Sequence, residues 1–360
     1  MTKDKSIFIK NIYYMLAYSY QNLLQSNYKE IQTEAFDNVL DLFAAILARG
    51  IASQLKQGLY KEYVEHEDEL CALRGKIDMP GTIRLKMQRA NRLQCAFDEF
   101  SDDNPMNRIL KTTSLLLLTS DEVKRENQLA LKRNMPYLSN IGRLDPMEID
   151  WRRIRYNRNN QAYRMLMNLC YLTLTRLLLT TEAGKRRLTG FLDSQSMERL
   201  YEKFILEYFR KHHPDLRAAP SQVAWNLDDG MSDFLPDMKT DITLTCSAKT
   251  LIIDAKYYTH TMQTNAQFDA RTIHSANLYQ IYAYVKNKDV RKTGNVSGLL
   301  LYAKTDEEIT PDCVYRMDGN RIGTRTLDLN CDFNILAGQL DRIATSLRDE
   351  AQNVARQAAR

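Results

Sequence analysis

Glycine and proline are scarce in this sequence, thirteen and eight in 360 residues, well below ordinary usage. That scarcity excludes collagen-like and linker-rich chains and favours a fold rich in helices. Long apolar runs are missing too. Stretches such as Leu115–Leu118 and Leu177–Leu179 fall far short of the ~18 residues that a membrane span needs, so no membrane is expected. The opening MTKDKSIFIKNIYYMLAYSY carries lysines and then a mixed aromatic run. Asn11, Tyr13, Tyr14, Ser19 and Gln21 interrupt the apolar core that a signal peptide requires, so the expectation is a cytoplasmic protein. The six cysteines (Cys71, Cys95, Cys170, Cys246, Cys313, Cys331) are scattered, with no CxxC pair and no histidine at ligand spacing. They read as small buried hydrophobes in a reducing compartment, not as a disulfide framework or a structural zinc site.

What is present is an ordinary globular composition, 44% hydrophobic and 26% charged. The length suits two or three domains of ~100–200 residues each. Charge is uneven. Residues 1–150 hold 20 Lys/Arg against 21 Asp/Glu, whereas residues 151–360 hold 30 against 24. Within 151–187 stand nine basic residues (Arg152, Arg153, Arg155, Arg158, Arg164, Arg176, Lys185, Arg186, Arg187) against Glu182 alone. Such a cluster attracts phosphate backbones by counterion release, and a solvated helix end decorated with arginine reads the same way.

Periodicity predicts helices over 9–25, 35–58, 104–130, 160–180 and 196–212, with breaks at Gly184 and Gly190. Residues 59–100 read as short strand-like pieces punctuated by Gly75, Pro80 and Gly81, around an acidic stretch of Glu65, Glu67, Asp68 and Glu69. Residues 136–150 are a weakly patterned connection. Further on, strands are predicted at 240–245, 251–258, 297–304 and 324–329, and helices at 274–287 and from 333 onward. The second half therefore reads as an α/β core, with a boundary near residue 150.

The chemistry centres on one hairpin. If the loop at Ser247–Ala248 is even-numbered, strand partners have numbers summing to 495, and Asp241 faces Asp254 on one side of the sheet at ~5 Å between Cβ atoms. Lys256 shares that side, while Ile242, Leu244, Leu251, Ile253 and Ala255 make the other side apolar. Two opposed carboxylates repel unless something positive stands between them. Hard oxygen ligands of this kind hold Mg²⁺, and a neighbouring lysine offsets negative charge developing on a phosphate. The alternative is a plain amphipathic hairpin with a solvated Asp/Thr/Lys face.

TDITL…LIIDAKYY, followed by a helix bearing NLYQIYAYV, resembles a PD-(D/E)XK nuclease, and more closely the McrC family, the nuclease subunit of the McrBC 5-methylcytosine restriction system. NIYYMLAYSY, RGKID, FDEFSDDNPMNRILKTT and GLLLY match the same pattern, so the resemblance spans nearly the whole chain. It implies an α+β N-terminal domain (1–150) followed by an α/β PD-(D/E)XK core (151–360), a mixed sheet flanked by helices. In this resemblance Asp241 and Asp254, with the Ala255 backbone carbonyl, hold Mg²⁺, and Lys256 is the catalytic lysine. Gln280 and Tyr284, four apart on one helix face, match a QxxxY-like feature. Glu202 is the helical glutamate expected to complete the site, with Glu207 as the alternative, and Asp237 in Pro236–Asp237 is a decoy. Arg152, Arg153, Arg155 and Arg158 are the DNA-binding candidates.

The resemblance further implies that the first domain engages a hexameric AAA+ GTPase, McrB-like, and stimulates it. GTP would then be bound by that partner, since AGKRR at 183–187 lacks the glycine spacing and the Ser/Thr of a phosphate-binding loop. Tyr13, Tyr14, Tyr18 and Tyr20 are candidates either for that contact or for core packing. The expected activity is Mg²⁺-dependent cleavage of DNA containing modified cytosine. A stand-alone nuclease and a non-catalytic activator of an AAA+ motor are the alternatives. His66, His212, His213, His260 and His274 show no spacing that suggests catalysis.

Overall fold

A computed structural model describes residues 9–20, 36, 38–181, 194–257, 262–265, 270–304 and 311–358. Outside them fall Gln21, Glu182, Gly184, Lys185, Arg186, Arg187, Gly190, Tyr258 and His260, and the side chains of Arg176 to Leu179. The chain packs as two units, residues 37–186 and residues 1–36 with 187–360. By packing, the division thus falls at 186/187 and not near 150. The change of charge at 150 reports a surface, whereas unit membership follows apolar faces.

The first helix, α1 (Ile9–Ser19), is part of the larger unit; the smaller unit begins with α2 (Val39–Gln57). Asn38 caps α2 by accepting the Asp41 N–H at 2.9 Å. Leu40, Leu42, Phe43, Ile46, Leu47 and Ile51 are all buried, so α2 is a central helix, with packing from the later helices. Next come β1 (Glu62–Leu70), β2 (Lys76–Ile77), α3 (Met79–Met87) and β3 (Leu93–Ser101). β3 lies between β1 and β2, antiparallel to both. The acidic stretch is the outer part of β1, paired residue by residue with β3 from Glu62↔Ser101 to Leu70↔Leu93. Pro80 and Gly81, read from sequence as strand punctuation, stand in the first turn of α3, where Asp78 accepts the Gly81 N–H.

The helix expected over 104–130 is two helices, α4 (Pro105–Leu118) and α5 (Arg125–Asn134). Asp41 explains the break: its buried Oδ1 accepts the Lys124 N–H at 2.8 Å and the Asn127 side chain at 2.7 Å, fixing the start of α5. Asn104 caps α4 with Pro105 at its first position. The next helix, α6 (Gln161–Thr181), packs on α2 and α4 through residues such as Tyr163, Leu166 and Leu169, which places it in this unit.

The larger unit holds α1, α7 (Ser194–His212), β4 (Gln222–Val223), β5 (Met238–Lys239), β6 (Ile242–Cys246), β7 (Lys249–Lys256), β8 (Met262–Asn265), β9 (Ala270–Ile273), α8 (Ser275–Lys288), β10 (Val296–Ala303), β11 (Cys313–Met317), β12 (Asn320–Leu327) and α9 (Phe333–Ala358). Its five-stranded sheet runs β11-β12-β10-β7-β6. β10 is parallel to β7 and to β12, and the outer pairs β6–β7 and β11–β12 are antiparallel. Every residue of β10 is buried, as a central strand covered on both faces requires. α8 covers one face through Ile281, Tyr284 and Val285 on Ile252, Leu300 and Ile322. On the other face Leu251 and Leu299 line a small cavity with Ile343 and Leu347 of α9. The result is a mixed sheet flanked by helices. α1 packs here through its aromatics: Tyr14 stacks on Phe333 at 4.0 Å, and Tyr18 meets Phe204 and Tyr208 at 5.6 Å. Tyr13 and Tyr18 are buried, and Tyr20 carries Lys203 over its ring. Among the described residues no helix is long and apolar enough to cross a membrane, and all six cysteines are free thiols.

Candidate active site

The β6–β7 hairpin turns at Ser247–Ala248, with Ser247 at φ +51°. Its even loop sets the register that sums to 495, from Ile242↔Ile253 to Cys246↔Lys249. Asp241 lies one residue before β6, and its Oδ2 accepts the Ala255 N–H at 3.0 Å. That bond draws Asp241 to the end of β7, beside Asp254 and Lys256. Asp254 is 1% exposed and Lys256 9%. Lys256 Nζ stands 3.1 Å from Asp254 Oδ2 as an ion pair, yet neither oxygen of Asp254 accepts a hydrogen bond of normal geometry. One ammonium therefore faces two carboxylates, the buried Asp254 and the half-buried Asp241, which leaves the site with an excess of negative charge when both are ionised.

The pKa directions agree. Burial pushes the Asp254 carboxyl up strongly; the Lys256 charge pulls it back, and Asp241 pushes it further. Asp241 is raised by burial as well, against the opposing pull of the Ala255 N–H and Lys256. On α7, Glu202 is pushed up to about 8 by burial, then by Asp241 and Glu198, with Lys256 opposing. Glu207 instead pairs with Arg210 at 2.7 Å, whereas Glu202 is acted on by the charges of Asp241 and Asp254. Glu198 was missed by the sequence reading. It too is raised by burial, with Lys256 opposing and Asp241 contributing. Its signal was available, because Glu198 and Glu202 are four apart and share one helix face.

Gln280 and Tyr284 act one step back from the carboxylates. Gln280 Nε2 donates to the Tyr284 hydroxyl at 2.9 Å, and that hydroxyl donates to the Lys239 carbonyl at 3.1 Å. Tyr284 is buried in the core beneath the sheet. From the other side the Thr240 hydroxyl, itself buried, accepts the Ser221 N–H at 3.0 Å and lies 3.0 Å from the Thr243 hydroxyl. The segment Lys239–Asp241 is thereby held from both flanks. No short motif flagged Ser221 or Thr240.

The remaining candidates stand elsewhere. Asp237 is exposed and accepts a bond from Gln222 at 3.2 Å. Arg152, Arg153, Arg155 and Arg158 are exposed on the smaller unit, the first two at 3.5 and 3.4 Å from Asp150. His66 stacks on Phe97, His212 shares a 2.7 Å hydrogen bond with the Tyr18 hydroxyl, and His274 precedes α8.

The donor set can be tested against a divalent ion. Among the described residues no three His, Cys, Asp or Glu side chains form a ready metal cage. Two neighbouring carboxylates, Asp241 and Asp254, instead suit an ion that keeps several waters, as Mg²⁺ does. The Asp254 carboxylate, buried beside Asp241 with Lys256 as its ion-pair partner and no hydrogen bond of normal geometry, is the observation that favours this fit.

Comparison with known proteins supplies the family. The type IV methyl-directed restriction enzyme EcoKMcrBC of Escherichia coli (strain K12) is 26% identical over 339 residues, 92% of this chain and 95% of the relative. A chain of the refined half-complex from a tetradecameric assembly of Thermococcus gammatolerans McrB AAA+ hexamers with bound McrC aligns over 92% of this chain and 76% of its own, at 17% identity and a TM-score of 0.45. A chain of the cryo-EM structure of the Thermococcus gammatolerans McrBC complex aligns over 58% and 60%, at 22% identity and a TM-score of 0.38. The decisive match is the family model described as McrBC 5-methylcytosine restriction system component, which covers residues 3–303, and by that match the chain belongs to this family.

Proposed function

We propose that the chain is the DNA-cleaving subunit of a modification-dependent restriction complex, with a PD-(D/E)XK-type nuclease core in its larger unit. The observation that carries this reading is Asp254: buried, without a hydrogen bond to either oxygen, and flanked by Asp241 and Lys256. Asp241, Asp254 and the Ala255 carbonyl would hold Mg²⁺. When bound, that ion supplies a Lewis acid for the phosphoryl oxygen and lowers the pKa of a coordinated water. Lys256 offsets negative charge growing on the phosphate. Burial and the neighbouring Asp241 and Glu198 push the Glu202 carboxyl up, and it would join the carboxylate set once a cation neutralises the site. Gln280 and Tyr284 keep Asp241 in position through the Lys239 carbonyl.

Family membership supports the rest of the reading. The E. coli relative is named a methyl-directed restriction enzyme, and DNA with 5-methylcytosine is the proposed substrate. A McrB-type AAA+ GTPase is the proposed partner; it would bind GTP, and this chain would stimulate its hydrolysis. Arg152, Arg153, Arg155 and Arg158 are proposed to contact DNA phosphates. The test is Mg²⁺-dependent cleavage of methylated and unmethylated duplexes, by the chain alone and with the AAA+ subunit and GTP. Cleavage of methylated DNA in the full mixture only is the expected result. Cleavage by the chain alone, indifferent to GTP, would discard the two-component reading.

A further inference from the structure

Asp241 follows directly on a ring of three hydroxyls. Ser221 Oγ lies 2.7 Å from Thr243 Oγ1 and 3.2 Å from Thr240 Oγ1, and the two threonine hydroxyls are 3.0 Å apart. Main-chain groups close on the same point. The Ser221 N–H donates to Thr240 Oγ1 at 3.0 Å, and the Thr240 N–H donates to the Ser221 carbonyl at 2.9 Å. Two residues before Ser221, Ala219 bridges Thr243: the Thr243 N–H donates to the Ala219 carbonyl at 2.8 Å, and the Ala219 N–H donates back at 3.1 Å. Ser221 and Thr240 thus form the neck of the β4–β5 excursion, sewn onto β6 at the edge of the five-stranded sheet. Both threonines are buried.

Stability alone does not account for a polar ring at this place. Replacing paired polar groups by apolar ones of the same shape is often nearly neutral, and valine has the shape of threonine. Hydrogen bonds add direction. A hydroxyl both donates and accepts, so three in a ring satisfy one another and fix the main chain at one setting, whereas apolar burial is non-directional. Asp241 needs that setting. It lies outside the β6–β7 ladder, and from there its carboxylate reaches the Ala255 N–H. We infer that Ser221, Thr240 and Thr243 are positioning residues for the divalent ion: their ring holds Thr240, and so keeps Asp241 on the Ala255 N–H and beside Asp254. This inference rests on the metal reading above and extends it to residues behind the carboxylates. Groups that orient metal ligands in this way commonly contribute about 10–100-fold to metal affinity. The ring is separate from the Gln280–Tyr284 pair, which holds the preceding Lys239 carbonyl from α8.

The experiment titrates the full chain with Mg²⁺ alone and follows its melting temperature, with no DNA or partner present. The variants are Thr240→Val, Ser221→Ala as the milder loss, and Thr240→Ser, which keeps the hydroxyl. The Mg²⁺ concentration that gives half of the thermal stabilisation is expected to rise about tenfold in Thr240→Val and Ser221→Ala. Thr240→Ser is expected to match wild type. In the assembled complex the Mg²⁺ requirement for cleavage is expected to rise in parallel, while the rate at saturating Mg²⁺ falls much less. A lower melting temperature in EDTA with an unchanged Mg²⁺ midpoint in both Thr240→Val and Ser221→Ala would make the ring merely structural and overturn the inference. A Thr240→Ser chain as impaired as Thr240→Val would overturn it too, since the hydroxyl would then not be the active feature. A wild-type chain that Mg²⁺ does not stabilise at all would overturn the metal reading itself, and this inference with it.

Discussion

Asp241 Oδ2 accepts the main-chain N–H of Ala255 at 3.0 Å. The bond spans the open end of the β6–β7 hairpin, one step beyond the last ladder pair, Ile242↔Ile253. It brings Asp241 beside Asp254 in a setting where burial raises both carboxyls. A site built in this way stores repulsion that a cation can release, and its consequences are measurable in stability as well as in activity.

The metal-free chain is expected to lose stability as pH rises. A carboxyl whose folded pKa lies above its unfolded value binds its proton more tightly in the folded state. For Glu202 the favourable contribution is complete below ~4.3, the unfolded value, and is lost as pH rises through about 8. Asp254 and Asp241 act in the same direction from a start of ~3.9. Melting temperature followed from pH 5 to 9 in EDTA is therefore expected to fall, and Mg²⁺ to restore it most at the alkaline end. Asp254→Asn is expected to melt above wild type in EDTA and to gain nothing from Mg²⁺. A flat profile with no effect of Mg²⁺ would contradict this.

The two glutamates that the sequence left open are expected to separate. Glu202→Gln should lower cleavage by the assembled complex by about tenfold or more, in the range of general acid–base and electrostatic contributions. Glu207→Gln, which loses only its exposed pair with Arg210, should stay near wild type. Glu198→Gln is expected to fall between them. Steady-state cleavage at saturating Mg²⁺ decides it, and equal effects at 202 and 207 would remove Glu202 from the site.

The hydrogen bonds around His213 are expected to fix the tautomer that carries the proton on Nε2. Arg348 Nη2 can only donate, and it lies 2.9 Å from His213 Nδ1, so Nδ1 must accept. Nε2 then donates to Asp341 Oδ1 at 2.8 Å, an oxygen that also accepts the Tyr208 hydroxyl at 2.9 Å. Nitrogen-15 shifts of the ring report the tautomer directly. A proton on Nδ1 would mean that the Arg348 contact is not formed.

Charge reversal at Arg152, Arg153 and Arg155 is expected to weaken DNA association and to reduce its salt slope by about one per lost phosphate contact. All three are exposed, and Arg152 and Arg153 lie within 3.5 Å of Asp150, so those two contribute less than a free cation. Equal slopes for variant and wild type would assign the cluster to plain solvation.

How far the sequence could be read follows from where its signals are local. The hairpin register was legible because an even two-residue loop fixes it arithmetically. Helices such as α2, α7 and α8 were legible from 3.6-residue periodicity. α3 was not: Pro80 and Gly81 mark turns and helix starts alike, and only the Asp78 cap distinguishes them. The break between α4 and α5 depends on Asp41, more than eighty residues upstream, and no local pattern carries that. The packing units were not legible from charge, which changes at 150 while α6 packs back onto α2 and α4. Glu198 was missed for another reason: α7 carries several acids, and only its packing on β7 shows which of them meet the aspartates.

The central claim is that Asp254 anchors a DNA-cleaving site. The most direct measurement is cleavage of methylated DNA by the complex of Asp254→Ala with the AAA+ subunit, GTP and Mg²⁺, with GTP hydrolysis followed in the same reaction. The account predicts loss of cleavage by about a hundredfold or more, with GTP hydrolysis still stimulated. Cleavage at the wild-type rate would contradict it.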